Sequence, residues 1–483
     1  MIRFAIAALL LWSINTSAQS MNDYLDQIRD NPAKLTAFFS QMPKGGDLHH
    51  HYSGSVYAES YLSYAVEKDF FVNKESLRIT VDTTGKGAGW TRLSELAKNG
   101  LLDVYKAKLI QRWSVKDYNH VSYPADKQFF ESFSYFGPSS KHSVDAGLLE
   151  LKRRAVSEHV SYIETQYDNV PCKDGKAAAI SRQYDSRLAT IQTQRNEKAC
   201  QSLLDSIYSK LIGPEIVSCA IAFNADEIDK RHHSLHLDDA DFILRYQNVV
   251  VRNMEPTALF NSLILAFESA ERDSLIVGVN ILSPEDNEVS MRDYWLHMQM
   301  FKYCHQKYPQ IKYAMHAGEL TLGLVKPEEL TWHINAAVFD AGAFRIGHGV
   351  DMAYEKDSYR LLQYMKEKEI PVEINLFSNE FILKVKDRRH PITLYKQFGV
   401  PIVISTDDAG VLRSNLTEQY VLLANRYPEF SYTEIKKIVY NSIRYAFIKG
   451  PGVKQQLIAK LDKDFERFEQ LIRNTLTRSP ATR

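Results

Sequence analysis

Ile311-Lys312-Tyr313-Ala314-Met315-His316-Ala317-Gly318-Glu319 sets a short apolar run against an abrupt polar ending. Residues 311–315 read as a buried strand. A His closing that strand, with a Glu three residues on, can turn a ligand and an acid toward one pocket. Taken alone, the ending also suits a helix start, with His316 beside an N-cap and Glu319 in the first turn. The pattern returns along the chain. Short apolar, β-branched-rich runs occur at 160–164, 216–223, 275–282, 344–346, 372–376 and 402–405, with longer amphipathic stretches between many of them. Continuous apolar strands followed by helices predict a parallel sheet covered on both faces. A further short strand at 46–49 brings the count to eight, the number that closes a barrel. An open doubly wound sheet competes, but no G-x-G-x-x-G turn follows the first strand. The expected fold is therefore α/β, a TIM-like (β/α)8 barrel.

The 483 residues carry 59 Lys+Arg against 59 Asp+Glu, with 45% hydrophobic and 24% charged residues. That composition excludes disorder and fibrous repeats, and the even charge gives no reason to expect nucleic acid as a partner. Met1-Ile2-Arg3, the apolar run 4–12 and the small residues up to Ala18 have the layout of a signal peptide over 1–18, cut ahead of Gln19. Its apolar part is too short to span a bilayer, and no later segment reaches that length. The expectation is a secreted or periplasmic protein without stable membrane insertion. Residues 19–44 read as an N-terminal helical extension that could pair chains into a homodimer. The barrel then runs over 45–480, with insertions near 55–130 and 168–212. Leu457, Leu461, Phe465, Phe468 and Ile472 form an apolar helical stripe at the C-terminal end, set off by Pro451-Gly452. Export permits a disulfide. Cys172 and Cys200 share a polar stretch and are the expected pair, leaving Cys219 and Cys304 as buried thiols.

Four polar clusters follow strand-like runs. In Asp47-Leu48-His49-His50-His51, alternation lets His49 and His51 share a face while His50 turns away, an arrangement suited to zinc or to a solvated His-rich loop. His316-Ala317-Gly318-Glu319 is the second. In Gly347-His348-Gly349 the glycines leave room beside the imidazole. In Ser405-Thr406-Asp407-Asp408 two adjacent carboxylates at the end of a buried strand need a positive compensator, unless they form a surface turn. Each cluster alone is ambiguous. In a barrel, all four strand ends meet on one face, where such enzymes keep their active sites.

These motifs, in this order, resemble the signatures of the adenosine deaminase family, zinc-dependent (β/α)8 barrels of the metal-dependent amidohydrolase type. Tyr162-Ile163-Glu164 and His390-Pro391 add to the resemblance, and the extension and insertions are similar to its secreted growth-factor-type branch. The resemblance implies one zinc ion per chain held by His49, His51, His316 and Asp407. It implies Glu319 as proton shuttle, His348 as the residue that orients the attacking water, and Asp407 among the catalytic groups. It places Asp408, His51, Ser53 and Ser283 on the substrate side. Two departures stand out. Ser53 occupies the place of an Asp that contacts ribose hydroxyls, and Ser283 replaces a Gly whose N–H meets the purine, with Glu285 retained. The implied reaction is hydrolytic deamination of adenosine or 2′-deoxyadenosine. Another aminopurine nucleoside is the alternative within enzymes, and an extracellular nucleoside-binding or signalling protein is the alternative outside them. The chain lacks both the H-x-E…P-C-x-x-C pattern of cytidine-type deaminases and an H-E-x-x-H helix.

Overall fold

The computed structural model describes residues 21–173 and 175–478; the expected signal segment lies outside them. Eight parallel strands follow one another around the sheet in chain order. They are β1 (Gly45–His51), β2 (Val160–Gln166), β3 (Ile243–Val251), β4 (Ile276–Leu282), β5 (Lys312–Ala317), β6 (Arg345–His348), β7 (Val372–Ile374) and β8 (Ile402–Ile404). β2 and the three-residue β7 and β8 are buried throughout, as strands covered on both faces must be. The sheet closes where His50 and Asp407 form a parallel bridge. Asp407 N–H donates to the His49 carbonyl at 2.8 Å and His51 N–H to the Asp407 carbonyl at 3.2 Å. This is a (β/α)8 TIM barrel, and it is stitched shut at the residues expected to hold metal.

Helices cover the strands. α1 (Pro32–Gln41), capped by Asn31, precedes the barrel. Its Phe38 ring meets Phe468 edge-on at 5.0 Å, and Arg29 donates to the carbonyls of Ala424 (2.8 Å) and Phe430 (2.6 Å). The apolar face of the extension is thus used within its own chain. Between β1 and β2 lie several helices, including α2 (Ala125–His142), and a three-stranded antiparallel sheet of Phe71–Asn73, Ile79–Thr80 and Trp90–Arg92. The C-terminal helix Pro451–Arg478 buries Leu457, Leu461, Phe465, Phe468 and Ile472, the stripe read from the sequence. Among the described residues no single helix is long and apolar enough to cross a membrane.

Three expectations need correction. Residues 216–223, read as a strand, belong to helix α3 (Pro214–Phe223). Pro214 opens its first turn, and Ile216, Ala220 and Phe223 are buried at helical spacing while Ile221 is 52% exposed. The third barrel strand is instead β3, whose apolar run is broken by Arg245, Gln247 and Asn248. The second insertion consequently runs to about residue 242 rather than 212. The disulfide joins Cys172 to Cys219; Cys200 and Cys304 are buried free thiols. Cys200 is buried in helix Glu197–Leu211.

Candidate metal centre and substrate pocket

His49 and His51 point into the barrel mouth, while His50 turns away and sits 3.0 Å from Thr165 Oγ1, as strand alternation requires. The fifth strand adds His316 and the turn after β8 adds Asp407. The Nε2 atoms of His49 and His51 are 3.4 Å apart, those of His51 and His316 3.3 Å, and Asp407 Oδ1 lies 3.2 Å from His51 Nε2. A tetrahedral ion about 2.0–2.1 Å from each nitrogen would hold its ligands about 3.3–3.4 Å apart. The His49–His51, His51–His316 and His51–Asp407 pairs therefore have the spacing of zinc ligands, with His49 Nε2 and Asp407 Oδ1 wider apart at 3.8 Å. The donor set also fits zinc by protonation. His49 Nδ1 donates to the Glu373 carboxylate at 2.8 Å, which leaves the Nε2 lone pair facing inward. His316 Nδ1 meets Asn280 Oδ1 at 3.1 Å; Asn280 Nδ2 donates to Gln247 Oε1 (3.1 Å), and Gln247 Nε2 donates to Glu164 Oε2 (3.1 Å). That chain ends on a carboxylate, which can only accept, so its direction is fixed and the Nε2 lone pair of His316 also faces inward. Burial, then the neighbouring imidazoles, hold His316 well below the usual histidine range. Against burial, the bond from His51 and the charges of His348 and His49 hold Asp407 far below the ordinary carboxylate range.

Glu319 and His348 stand beside this cluster. His348 Nε2 is 3.8 Å from Glu319 Oε1 and 3.9 Å from Asp407 Oδ2. Glu285 holds the Glu319 turn by accepting from Gly318 N–H (3.1 Å) and Glu319 N–H (3.0 Å), and is itself met by His333 Nδ1 at 2.6 Å. Burial first, then the negative charges of Asp407 and Glu285, push the Glu319 carboxyl well above its usual range. Burial and the adjacent Asp407 do the same for Asp408. Asp408 Oδ1 is buried without a hydrogen-bond partner, and it fits against Gly54, where a Cβ would sit 1.6 Å from that oxygen. A Cβ on Gly347 would stand 2.8 Å from the His49 ring, which gives the glycine before His348 its reason.

A cavity of about 510 Å³ opens over the cluster and is lined by His51, Ser53, Ser283, His316, Glu319, His348, Asp407 and Asp408 together. Every residue singled out as ligand, acid or substrate contact therefore meets here, except His49, which is fully buried beneath the pocket. Phe129, Phe130 and Phe133 of α2 form one wall, and Gln166, Asp168, Asn169 and Asn253 the polar rim. Among the described lining residues none is Lys or Arg. Sequence reasoning missed the α2 wall and the residues behind the ligands, Glu373, Asn280 and Gln247. The available signal was a charged or amide side chain inside an otherwise apolar strand, where it must be paired.

Residues 239–464, from just before β3 to the C-terminal helix, match the sequence profile of the adenosine deaminase family. That segment holds His316, Glu319, His348, Asp407 and Asp408; the barrel's closure brings in His49 and His51 from outside it. The adenosine deaminase of Clostridium acetobutylicum is 33% identical over 153 residues, 32% of this chain and 42% of that protein. That of Enterococcus faecalis is 31% identical over 156 residues, with the same shares. The chain thus spans less than half the length of these relatives over the matched segments. The apo structure of the N6-methyl-AMP deaminase from Arabidopsis thaliana superposes with a TM-score of 0.56 at 20% identity, covering 89% of this chain and 98% of that one. An amidohydrolase from B. ambifaria, solved with bound Zn, superposes at 0.52 with 14% identity, covering 91% and 94%. Both likenesses are of fold.

Proposed function

We propose that this chain is a zinc-dependent hydrolase that converts adenosine or 2′-deoxyadenosine to the corresponding inosine with release of ammonia. The observation that carries the reading is the convergence of His49, His51, His316 and Asp407 at ligand-like spacing, with the buried Glu319 carboxyl, pushed well above its usual range, beside them. A zinc ion held by His49, His51, His316 and Asp407 supplies the Lewis acidity that brings the pKa of water to about 7. Glu319, kept protonated by burial, delivers a proton to the ring nitrogen beside the amino-bearing carbon, which makes that carbon electrophilic. His348 presents Nε2 to the developing negative charge. Asp408 offers its unpartnered Oδ1 to the imidazole edge of the purine. His51 lines the same floor, and the α2 phenylalanines supply the apolar contact that a planar base needs. A bond forms from water oxygen to carbon, the bond to the amino nitrogen breaks, and the nitrogen leaves as ammonia.

The pocket favours a neutral nucleoside over a nucleotide. Asp168 stands on its rim and none of the described lining residues is Lys or Arg, so a phosphate there would find no cation to pair with. Ser53 and Ser283 support a second reading, deamination of a differently substituted aminopurine nucleoside. The signal-like residues 1–18 and the Cys172–Cys219 disulfide support export. The helices ahead of the barrel support the growth-factor-type branch. A panel of adenosine, 2′-deoxyadenosine, other aminopurine nucleosides, AMP and N6-methyl-AMP, followed by ultraviolet absorbance on zinc-loaded protein, tests the reading. Adenosine and its 2′-deoxy form are expected to turn over. Glu319→Gln is expected to keep its zinc and lose about 10²- to 10⁴-fold in kcat. Turnover of nucleotides alone, or of no aminopurine, overturns the proposal.

A further inference from the structure

His348 differs from the three ligand histidines in what stands behind it. Their distal nitrogens face acceptors where a partner is seen; the Nδ1 of His348 faces amides. Asn379 Nδ2 is 3.0 Å away and Asn375 Nδ2 3.4 Å. An amide can present either its nitrogen or its oxygen, so this contact alone leaves the His348 proton undecided. The next links decide it. Asn379 Oδ1 lies 3.0 Å from His390 Nε2, and His390 Nδ1 accepts from the backbone N–H of Ile392 at 3.1 Å. A backbone N–H can only donate. His390 Nδ1 must therefore be bare, and burial holds this ring neutral by pushing its pKa down to about 3, so its proton sits on Nε2. That proton goes to Asn379 Oδ1, which directs the Asn379 amide N–H toward His348 Nδ1. His348 is left with a bare Nδ1 and its proton on Nε2, aimed into the pocket between Glu319 and Asp407. His348, Asn379 and His390 are each at most 1% exposed, so water does not reach the relay to scramble it.

The structure assigns Asn379 and His390 as positioning residues that set the tautomer of His348, making it a hydrogen-bond donor toward the reacting centre while the ligand histidines present lone pairs. The polarity originates at one peptide N–H, that of Ile392, and runs outward to the site. The inference rests on the reaction proposed above for the catalytic role of His348, but the tautomer itself does not depend on that reaction.

Asn379→Asp exchanges the amide nitrogen for an oxygen and reverses the relay. The ionised carboxylate in that variant accepts from both histidines, drawing the His348 proton to Nδ1 and leaving Nε2 without one. With ¹⁵N-labelled histidine in the zinc-loaded full chain, the His348 resonances, assigned by loss in His348→Gln, are expected to show Nε2–H in the parent and Nδ1–H in Asn379→Asp. On adenosine, Asn379→Asp is expected to lower kcat by about 10²- to 10⁴-fold, the scale of a lost proton-donating group, with KM within about threefold and zinc retained. His390→Phe removes the link that orients Asn379 and is expected to lower kcat at least tenfold. His390→Gln, which restores an amide donor, is expected to recover most of that loss. The same His348 tautomer in parent and Asn379→Asp overturns the assignment, as does a kcat for Asn379→Asp within twofold of the parent. Should the parent turn over no nucleoside, the functional proposal fails, and the resonances still decide the tautomer. Should Asn379→Asp not fold, the resonance pattern of the parent and the contrast between His390→Phe and His390→Gln decide it.

Discussion

Single residues at the strand ends are held in a backbone conformation that L side chains avoid. Ser283 after β4, His348 ending β6 and Asp407 after β8 have φ of 89°, 67° and 63°. Such positions cost on the order of 1–3 kcal/mol each and persist where surrounding structure fixes them. For His348 and Asp407 the twist turns a side chain from the strand into the pocket. Ser283 makes no comparable contact, so its strain is dispensable. Ser283→Gly is expected to raise stability by about 1 kcal/mol, the strain relieved less the extra unfolded-state entropy of glycine. Denaturant titration measures this, and a loss of stability would show that the Ser283 side chain is needed there. His297 makes a second case. It lies buried in helix Glu288–Lys307 with neither ring nitrogen partnered, and burial, aided by Arg252 and Arg292, pushes its pKa down to about 3. Its unfolded value is near 6.5, so below that pH the unfolded chain takes up a proton the folded chain refuses. The stabilising contribution is complete above pH 6.5 and declines as pH falls toward 3. His297→Met is expected to lose about 2–3 kcal/mol less than the parent between pH 7.5 and pH 4.5, at about 1.4 kcal/mol per pH unit; equal losses would place the acid sensitivity in another group.

At the scale of elements, legibility followed hydrophobic pattern. Strands β2, β4, β5, β6, β7 and β8 stand within a residue or two of the runs that announced them, because both faces of a barrel strand are covered and apolar residues fill them. β3 was missed because Arg245, Gln247 and Asn248 interrupt its run; Asn248 Nδ2 donates to the Ala266 carbonyl and Ser269 Oγ, and Gln247 is paired with Glu164 and Asn280. Such partners come from other elements, and a single run of residues does not show them. α3 was misread for the converse reason: an apolar run of eight has no periodicity of its own until Pro214 and Glu215 mark its start. The gathering of His49, His51, His316, Glu319, His348 and Asp407 was legible because polar side chains that follow apolar barrel strands meet at one mouth. Glu373, Asn280 and Asn379 were not, since their role depends on which ring nitrogen they meet in space. The disulfide depends in the same way on the orientation of α3. It closes a loop with a sequence separation of 47 between the segment after β2 and that helix. Constraining a loop of that length in the unfolded chain contributes about 2–4 kcal/mol. Cys219→Ser is expected to lower stability by that amount while leaving KM for the substrate within about twofold, because neither cysteine lines the pocket. A collapse of zinc binding in this variant would show that the insertion supports the barrel mouth.

Across the whole molecule, the weakest seam of the barrel and its proposed metal centre are the same place. β3 and β4 pair over the register Tyr246↔Ile276 to Val251↔Leu282, whereas β8 and β1 meet in the single bridge His50↔Asp407. Side chains supplement that bridge: Thr406 Oγ1 donates to Asp47 Oδ2 at 2.6 Å, Thr406 N–H to Asp47 Oδ1 at 3.2 Å, and His49 N–H to Ser405 Oγ at 3.2 Å. The proposed ligands come from both sides of the seam, His49 and His51 from β1 and Asp407 from beyond β8, with His316 reaching across from β5. An ion bound there would act as a crosslink between the first and last strands of a closed sheet, stabilising the native state by RT ln(1 + [metal]/Kd), about 2.7 kcal/mol at a hundredfold excess over Kd. Removing it with a chelator is therefore expected to lower the melting temperature by several degrees, with recovery on adding zinc. The loss should also be local. Amide hydrogen exchange at residues 47–51 and 405–408 is expected to rise on chelation well before that at 246–251 and 276–282, because opening the short seam leaves the long ladders intact. Exchange that rises evenly around the barrel, or not at all, would mean that the strands close without help and that the ligand cluster contributes nothing to holding the fold together.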